Sequence, residues 1–175
     1  MTLREITNDE IAGFGYKKRA LDFGFATDPL VYHEMAFDKK HRKLFIYEEI
    51  CRTRLSNAAA VEQILTLNKH NDLVRADSAE QRTISELKGL GLNIRGVKKG
   101  PDSVRHGIKF LQDLFEIVID KRRCPNAAFE FSAYEVKRDA RGELMADFHD
   151  ANNHSSDTAR YGLEEEILGP TFSFR

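Results

Sequence analysis

Cysteine is nearly missing from these 175 residues, with two in all. Cys51 and Cys124 stand apart, without a second thiol or a histidine at zinc spacing. Neither a disulfide framework nor a structural zinc is indicated, and both read as small buried hydrophobes. Long apolar runs are missing too. Nothing nears the ~20 residues that a bilayer-spanning helix requires, and no basic-then-apolar leader opens the chain, which points away from secretion and membrane insertion. Net charge is almost absent at -1, against what a uniformly basic nucleic-acid binder would carry. The average hides clusters: Lys17-Lys18-Arg19, Lys39-Lys40-His41-Arg42-Lys43, Lys98-Lys99 and Lys121-Arg122-Arg123. Each is compact enough to track phosphates, and each also reads as a solvated face balanced by acids. What remains is an ordinary globular composition, 41% hydrophobic and 31% charged, of a length that suits one domain with a core needing no staples.

Residues 1–18 lack an apolar period and carry Gly13 and Gly15, so a linker is predicted there. Arg19 to Phe25, Leu30 to Phe37 and Leu44 to Ile50 are predicted strands joined by short turns, an antiparallel meander. The rhythm then changes. Ser56 caps a predicted helix with Ala58, Val61, Ile64 and Leu65 at helical spacing. A strand at Leu73 to Ala76 follows, then a helix bearing Ile84 and Leu87 and closed by Gly89 and Gly91. Asn93 to Val97 is a short strand, and Pro101-Asp102-Ser103 starts a helix presenting Val104, Ile108 and Leu111. Phe115 to Ile119 is a strand, and Pro125 opens a helix through about Phe131. Tyr134 to Lys137 and Glu143 to Ala146 flank the turn Asp139 to Gly142 as a predicted hairpin. A closing helix from Ser155 buries Ala159, Leu163 and Ile167. This order predicts an α/β fold, a mixed sheet with helices on both faces.

Three acids stand out on that frame. Asp22 ends the first apolar alternation and opens onto Gly24, so its carboxylate is expected to face a cavity; an Asp-x-Gly turn is the ordinary alternative. Asp22-Phe23-Gly24 spells the kinase magnesium triplet, but no Gly-rich or His-Arg-Asp loop accompanies it. Asp77 ends the run Leu73 to Ala76, while Asp77-Ser78-Ala79-Glu80 also has capping-box spacing. Asp157 follows His154 by three positions and shares its helix face, although an acid in a first helical turn is also plain dipole chemistry. Three such carboxylates brought together repel and raise one another's pKa, whereas a divalent metal keeps them ionised. Their hard oxygens suit magnesium or manganese, and imidazole is better tolerated by manganese. Two ions ~4 Å apart activate a water and stabilise the leaving oxygen in phosphodiester cleavage.

The blocks Arg19 to Pro29 (RALDFGFATDP), Ala76 to Glu80 (ADSAE), Gly96 to Gly100 (GVKKG) and Asn152 to Leu163 (NNHSSDTARYGL) resemble the nuclease domain of tailed-phage terminase large subunits. That domain is of the ribonuclease H-like superfamily, and the likeness runs over residues 19–170. It implies a five-stranded mixed sheet, three antiparallel strands then two parallel, flanked by helices and spanning 19–175, with an inserted β-hairpin within 131–149 and a linker remnant at 1–18. It implies a Mg²⁺- or Mn²⁺-dependent endonuclease that cuts concatemeric viral DNA during packaging with two metal ions. Asp22, Asp77 and Asp157 are then the catalytic acids and metal ligands, with His154 as ligand or general acid/base and the part of Glu80 open.

The partners implied are double-stranded DNA, the packaging ATPase domain in cis, the terminase small subunit and the portal protein, in the host bacterial cytoplasm, with no membrane and a monomeric isolated domain. No G-x-x-x-x-G-K-[ST] loop occurs, so the chain is expected to be the nuclease part, without ATPase activity. With no helix-turn-helix or zinc finger, contacts to DNA should fall on phosphates with little sequence preference. Lys98 and Lys99, on the side where Asp77 emerges, and Lys137, Arg138 and Arg141 of the hairpin are the DNA-binding candidates. The competing reading is a catalytically inactive DNA- or portal-binding module of the same fold. An actin-like nucleotide binder would need two such domains, and a proofreading exonuclease would carry Asp-x-Glu where Gly24 stands.

Overall fold

The computed structural model describes residues 1–24, 28–135 and 153–169. The meander is β2 (Lys17–Asp22), β3 (Leu30–Asp38) and β4 (Lys43–Arg52), paired antiparallel in order. Parallel strands β5 (Val74–Ala76) and β6 (Ile94–Gly96) continue from β2. These five strands, β4-β3-β2-β5-β6, are the expected mixed sheet. Two more extend it beyond β4: β7 (Glu116–Asp120) and, outside it, β1 (Thr2–Arg4), both parallel, giving the order β1-β7-β4-β3-β2-β5-β6.

Period-two alternation sends neighbouring side chains to opposite cores. Leu21, Tyr32, Val74 and Ile94 pack under α2 (Asn57–Leu67) and α3 (Gln81–Gly89). Ala20, Met35, Leu44 and Ile119 pack under α5 (Pro125–Glu135) and α6 (His154–Gly162), together with Leu111 of α4 (Ser103–Gln112). β3 is buried at eight consecutive positions because both faces are covered. In β4 a bulge intervenes: Glu34 faces Glu48 but Met35 faces Ile46, leaving Tyr47 over. The extra residue inverts the alternation, so Leu44 and Ile46 point to the α6 side while Ile50 joins the α2 side. The closing helix is broken at Leu163, and the short α7 (Glu164–Leu168) follows.

Two expectations need correction. Residues 1–18 are not a linker. Thr2, Leu3 and Arg4 pair with Val118, Ile119 and Asp120, α1 (Asn8–Gly13) is capped by the Thr7 side chain accepting from the Glu10 amide, and Ile6 is buried with Tyr47 and Val118. A six-residue helix is too short to display a period. Its one legible signal is Thr7-x-x-Glu10, which has capping-box spacing. The predicted hairpin also began too early, because Tyr134 and Glu135 are the last residues of α5. The rest of it lies outside the described residues.

Candidate active site

The site gathers at the end of the sheet where β2 and β5 finish side by side. Leu21 pairs with Ala76, so the residues that follow, Asp22 and Asp77, leave adjacent parallel strands at one edge. Gly24 follows because the backbone doubles back: a Cβ there would stand 2.1 Å from the Asp28 carbonyl oxygen, which only glycine avoids. The third acid comes from α6. That helix lies directly on β2 and β3, since a Cβ on Gly162 would be 2.9 Å from Met35 Cε and 3.6 Å from Ala20 Cβ, and the Thr158 hydroxyl reaches the Val31 carbonyl at 3.4 Å. Its first turn therefore overhangs the end of β2 and carries His154 and Asp157.

Each carboxylate has a different basic partner. His154 Nδ1 lies 2.9 Å from Asp22 Oδ2. Lys99 Nζ donates to Asp77 Oδ1, and the Tyr161 hydroxyl donates to Asp77 Oδ2 at 3.2 Å. Arg160 binds Asp157 Oδ1 through Nη2 at 2.5 Å and Nε at 3.2 Å. Burial raises the Asp22 pKa; the His154 hydrogen bond opposes this, and the charges of Asp157 and Asp77 reinforce it. The bond to Asp22 raises His154 in turn, against its own burial, with Glu130 and Asp28 adding to the rise. At Asp77 burial works upward but is outweighed by hydrogen bonds from the Ala79 amide, Lys99 and Tyr161, and the pKa falls. The Tyr161 hydroxyl is pushed far up by burial and by Asp22, Asp157 and Asp77 together. One buried phenol thus senses all three acids, which share a single electrostatic field.

The capping-box alternative for Asp77 does not hold. α3 begins at Gln81 behind Glu80, which makes no side-chain cap bond. Asp77 instead accepts from the Ala79 amide at 2.8 Å, a local turn that uses one oxygen and aims the group at the cleft. Glu80 accepts from Thr83 at 3.2 Å. Of the basic candidates, Lys99 is engaged by Asp77 and lies 5.7 Å from the Tyr161 ring centroid. The Lys98 amide donates to the buried Glu164, whose carboxylate also holds Arg95 at 2.6 Å; this fixes the start of the loop while leaving Lys98 itself exposed. Lys137, Arg138 and Arg141 lie outside the described residues. Arg160, Tyr161 and Glu130 escaped the sequence reading. Only the i, i+3 spacing of Asp157 and Arg160 hinted at one of them.

Among the described residues, no three carboxylate, imidazole or thiol groups converge closely enough as they stand to hold a metal ion. The donors nevertheless fit a divalent cation in kind. They are hard carboxylate oxygens on adjacent strand ends and an overhanging helix, and each is neighboured by a basic side chain.

The family model described as "Terminase RNAseH like domain" matches residues 22–165. The large terminase subunit of Bacillus phage SPP1 is 35% identical over 164 residues, covering 93% of this chain and 39% of that protein. The PBSX phage terminase large subunit of Bacillus subtilis (strain 168) is 24% identical over 148 residues, 85% of this chain and 34% of that protein. The chain thus spans well under half the length of these relatives. The crystal structure of the SPP1 large terminase nuclease domain with bound Mn superposes with a TM-score of 0.82 at 35% identity, covering 94% of this chain and 96% of that one. The large terminase nuclease of thermophilic phage G20c with bound magnesium shares the fold, with a TM-score of 0.56 at 16% identity over 90% of this chain and 84% of that one.

Proposed function

The chain belongs to the terminase RNase H-like domain family, and from that membership we propose that it is a metal-dependent DNA endonuclease that cuts concatemeric viral DNA during genome packaging. The carrying observation is the convergence of Asp22 and Asp77, on adjacent parallel strand ends, with the first turn of α6 that bears His154 and Asp157. In this reading the three carboxylates hold two Mg²⁺ or Mn²⁺ ions, with His154 a ligand or general acid/base. Bound there, the ions supply an activated water and a counter-charge for the leaving oxygen.

The protein's own groups do the rest. Asp22 holds the His154 imidazole through Nδ1, and that bond raises the imidazole's affinity for its proton. On taking metal, Asp77 would release the exposed Lys99, leaving that cation beside the cleft to meet a phosphate oxygen, while the buried Arg160 would stay beside Asp157. Lys98 and Lys99, with Lys137, Arg138 and Arg141, track the DNA backbone with little sequence preference. The same reading takes in a wider setting: an ATPase domain in cis, a terminase small subunit and portal protein as partners, and work in the host bacterial cytoplasm. The chain hydrolyses no ATP.

A second reading, an inactive module that binds DNA or portal, draws on the pairing of all three acids with protein cations. Supercoiled plasmid incubated with the protein and manganese, with and without chelator, separates the two. Nicked and linear DNA in the chelator-free lane only is the expected result. Intact plasmid in both lanes, with retarded migration, favours the binding module.

A further inference from the structure

We propose that Glu130 is a positioning residue: from α5 its carboxylate holds the first turn of α6, and so sets where His154 and Asp157 stand relative to Asp22. The inference rests on the nuclease reading for its activity arm alone.

The first amides of a helix have no partner within it, and α6 begins without a cap of its own, since Asn153 makes no side-chain cap bond. Glu130 supplies acceptors for two of these amides. Its Oε2 receives the Ser155 amide at 2.8 Å and its Oε1 the Ser156 amide at 2.9 Å. These amides belong to the residues between His154 and Asp157, so a bidentate clamp grips the turn that carries both functional side chains. Two bonds fix rotation as well as position, and an anion at a helix N-terminus meets the favourable end of the dipole. The packing beneath agrees: Ala127, Ala128 and Phe131 of α5 share a core with Ala159 of α6.

A merely structural carboxylate would be expected at a surface or beside a cation. Glu130 is 8% exposed, and no lysine or arginine pairs with it among the described residues. Burial lifts it to about 7, so the site keeps a group whose charge is held at a cost. Its charge also reaches His154, whose proton affinity it increases. An ordinary cap residue such as Ser or Asp at position 153 would satisfy one amide locally. A glutamate on another helix ties α6 to a second element instead.

The test compares the native chain with Glu130→Gln, which keeps the shape and one acceptor, and Glu130→Ala. Three readouts are Mn²⁺ affinity by titration, plasmid-cutting kcat and KM, and amide hydrogen exchange at Ser155 and Ser156 against β3. For Glu130→Ala we expect Mn²⁺ affinity and kcat each to fall about 10- to 100-fold, the cost typical of removing a group that orients a metal ligand. The DNA KM should hold, Ser155 and Ser156 should lose protection, and β3 should keep its own. Glu130→Gln should fall between native and alanine. Native Mn²⁺ affinity in Glu130→Ala, or protection lost evenly through the sheet, would overturn the proposal. Should the native chain neither bind Mn²⁺ nor cut, the nuclease reading fails. Exchange at Ser155 and Ser156 then decides the positioning role, with unchanged protection in Glu130→Ala sinking it.

Discussion

Asp22 and Asp120 end strands that run in the same direction, because β2 and β4 are both antiparallel to β3 and β7 is parallel to β4. Both therefore leave the same edge of the sheet, and both are buried, at 8% and 2% exposure. Their surroundings differ in one respect. Asp120 accepts the Ile6, Arg122 and Arg123 amides at 2.9, 3.0 and 3.0 Å and stands 3.6 Å from the Arg123 guanidinium. Burial works to raise its pKa, yet those three amides outweigh it and the pKa falls. Among the described residues Asp22 has the single hydrogen-bond partner His154; it faces two further acids, and its pKa rises. The same residue at matching sheet positions is thus a finished structural joint in one place and an open acceptor in the other. Among the described residues, the supply of backbone N–H groups makes the difference.

The comparison breaks or stands first on substitution. Asp22→Asn should lower plasmid cutting about 100- to 1,000-fold, the scale of losing a preorganised charge at a reacting centre, while the melting temperature holds or rises because a repelling acid is gone. Asp120→Asn should do the reverse: chemical denaturation should show a loss of about 2–3 kcal/mol, since a buried amide loses its acceptor, with cutting per folded molecule unchanged. An unfolded Asp22→Asn, or an inactive but stable Asp120→Asn, would dissolve the distinction.

The acid limb sharpens it. A carboxyl with a lowered native pKa stabilises above its unfolded value near ~3.9 and loses that contribution as pH falls through the native value. One with a raised native pKa is most favourable below ~3.9 and loses stability as pH climbs through the native value. Denaturation of metal-free protein from roughly pH 3 to 7 should therefore show the deficit of Asp120→Asn shrinking toward acid and the relative gain of Asp22→Asn growing toward neutrality. Parallel curves would contradict the opposite shifts.

A smaller effect is expected at Asp77, which has a removable partner in Lys99 and a fixed one in the Ala79 amide. Lys99→Met should tighten Mn²⁺ binding about 2- to 5-fold, the worth of a partly exposed ion pair. It should also lower the salt slope of DNA binding by about one. No change in either measurement would mean that Lys99 competes with neither metal nor phosphate.

Much of the fold was legible because apolar periods carry it. The meander, β5, β6, β7 and the helices over them all follow from local spacing. β1 was not, since three residues have no period and their partners lie at 118–120. Nor was the bulge at Tyr47, which depends on how β4 meets β3. In the site, Asp22, Asp77 and Asp157 drew notice as acids at element ends. That criterion would admit Asp120 equally, for nothing in Glu116 to Asp120 announces that the Ile6 amide arrives from the other end of the chain. Lys99 was legible beside Asp77 and Arg160 only faintly, by its spacing from Asp157, but Tyr161 and Glu130 matter through what folding sets beside them, and no spacing rule reaches that far.

The clamp between Glu130 and the turn at Ser155 and Ser156 also short-circuits the polypeptide. A pull on α5 is thus passed to the turn that carries Asp157 through this direct link between the two helices. The sequence between Glu130 and Ser155 could change in length or composition, and the aspartate downstream would keep its bearing.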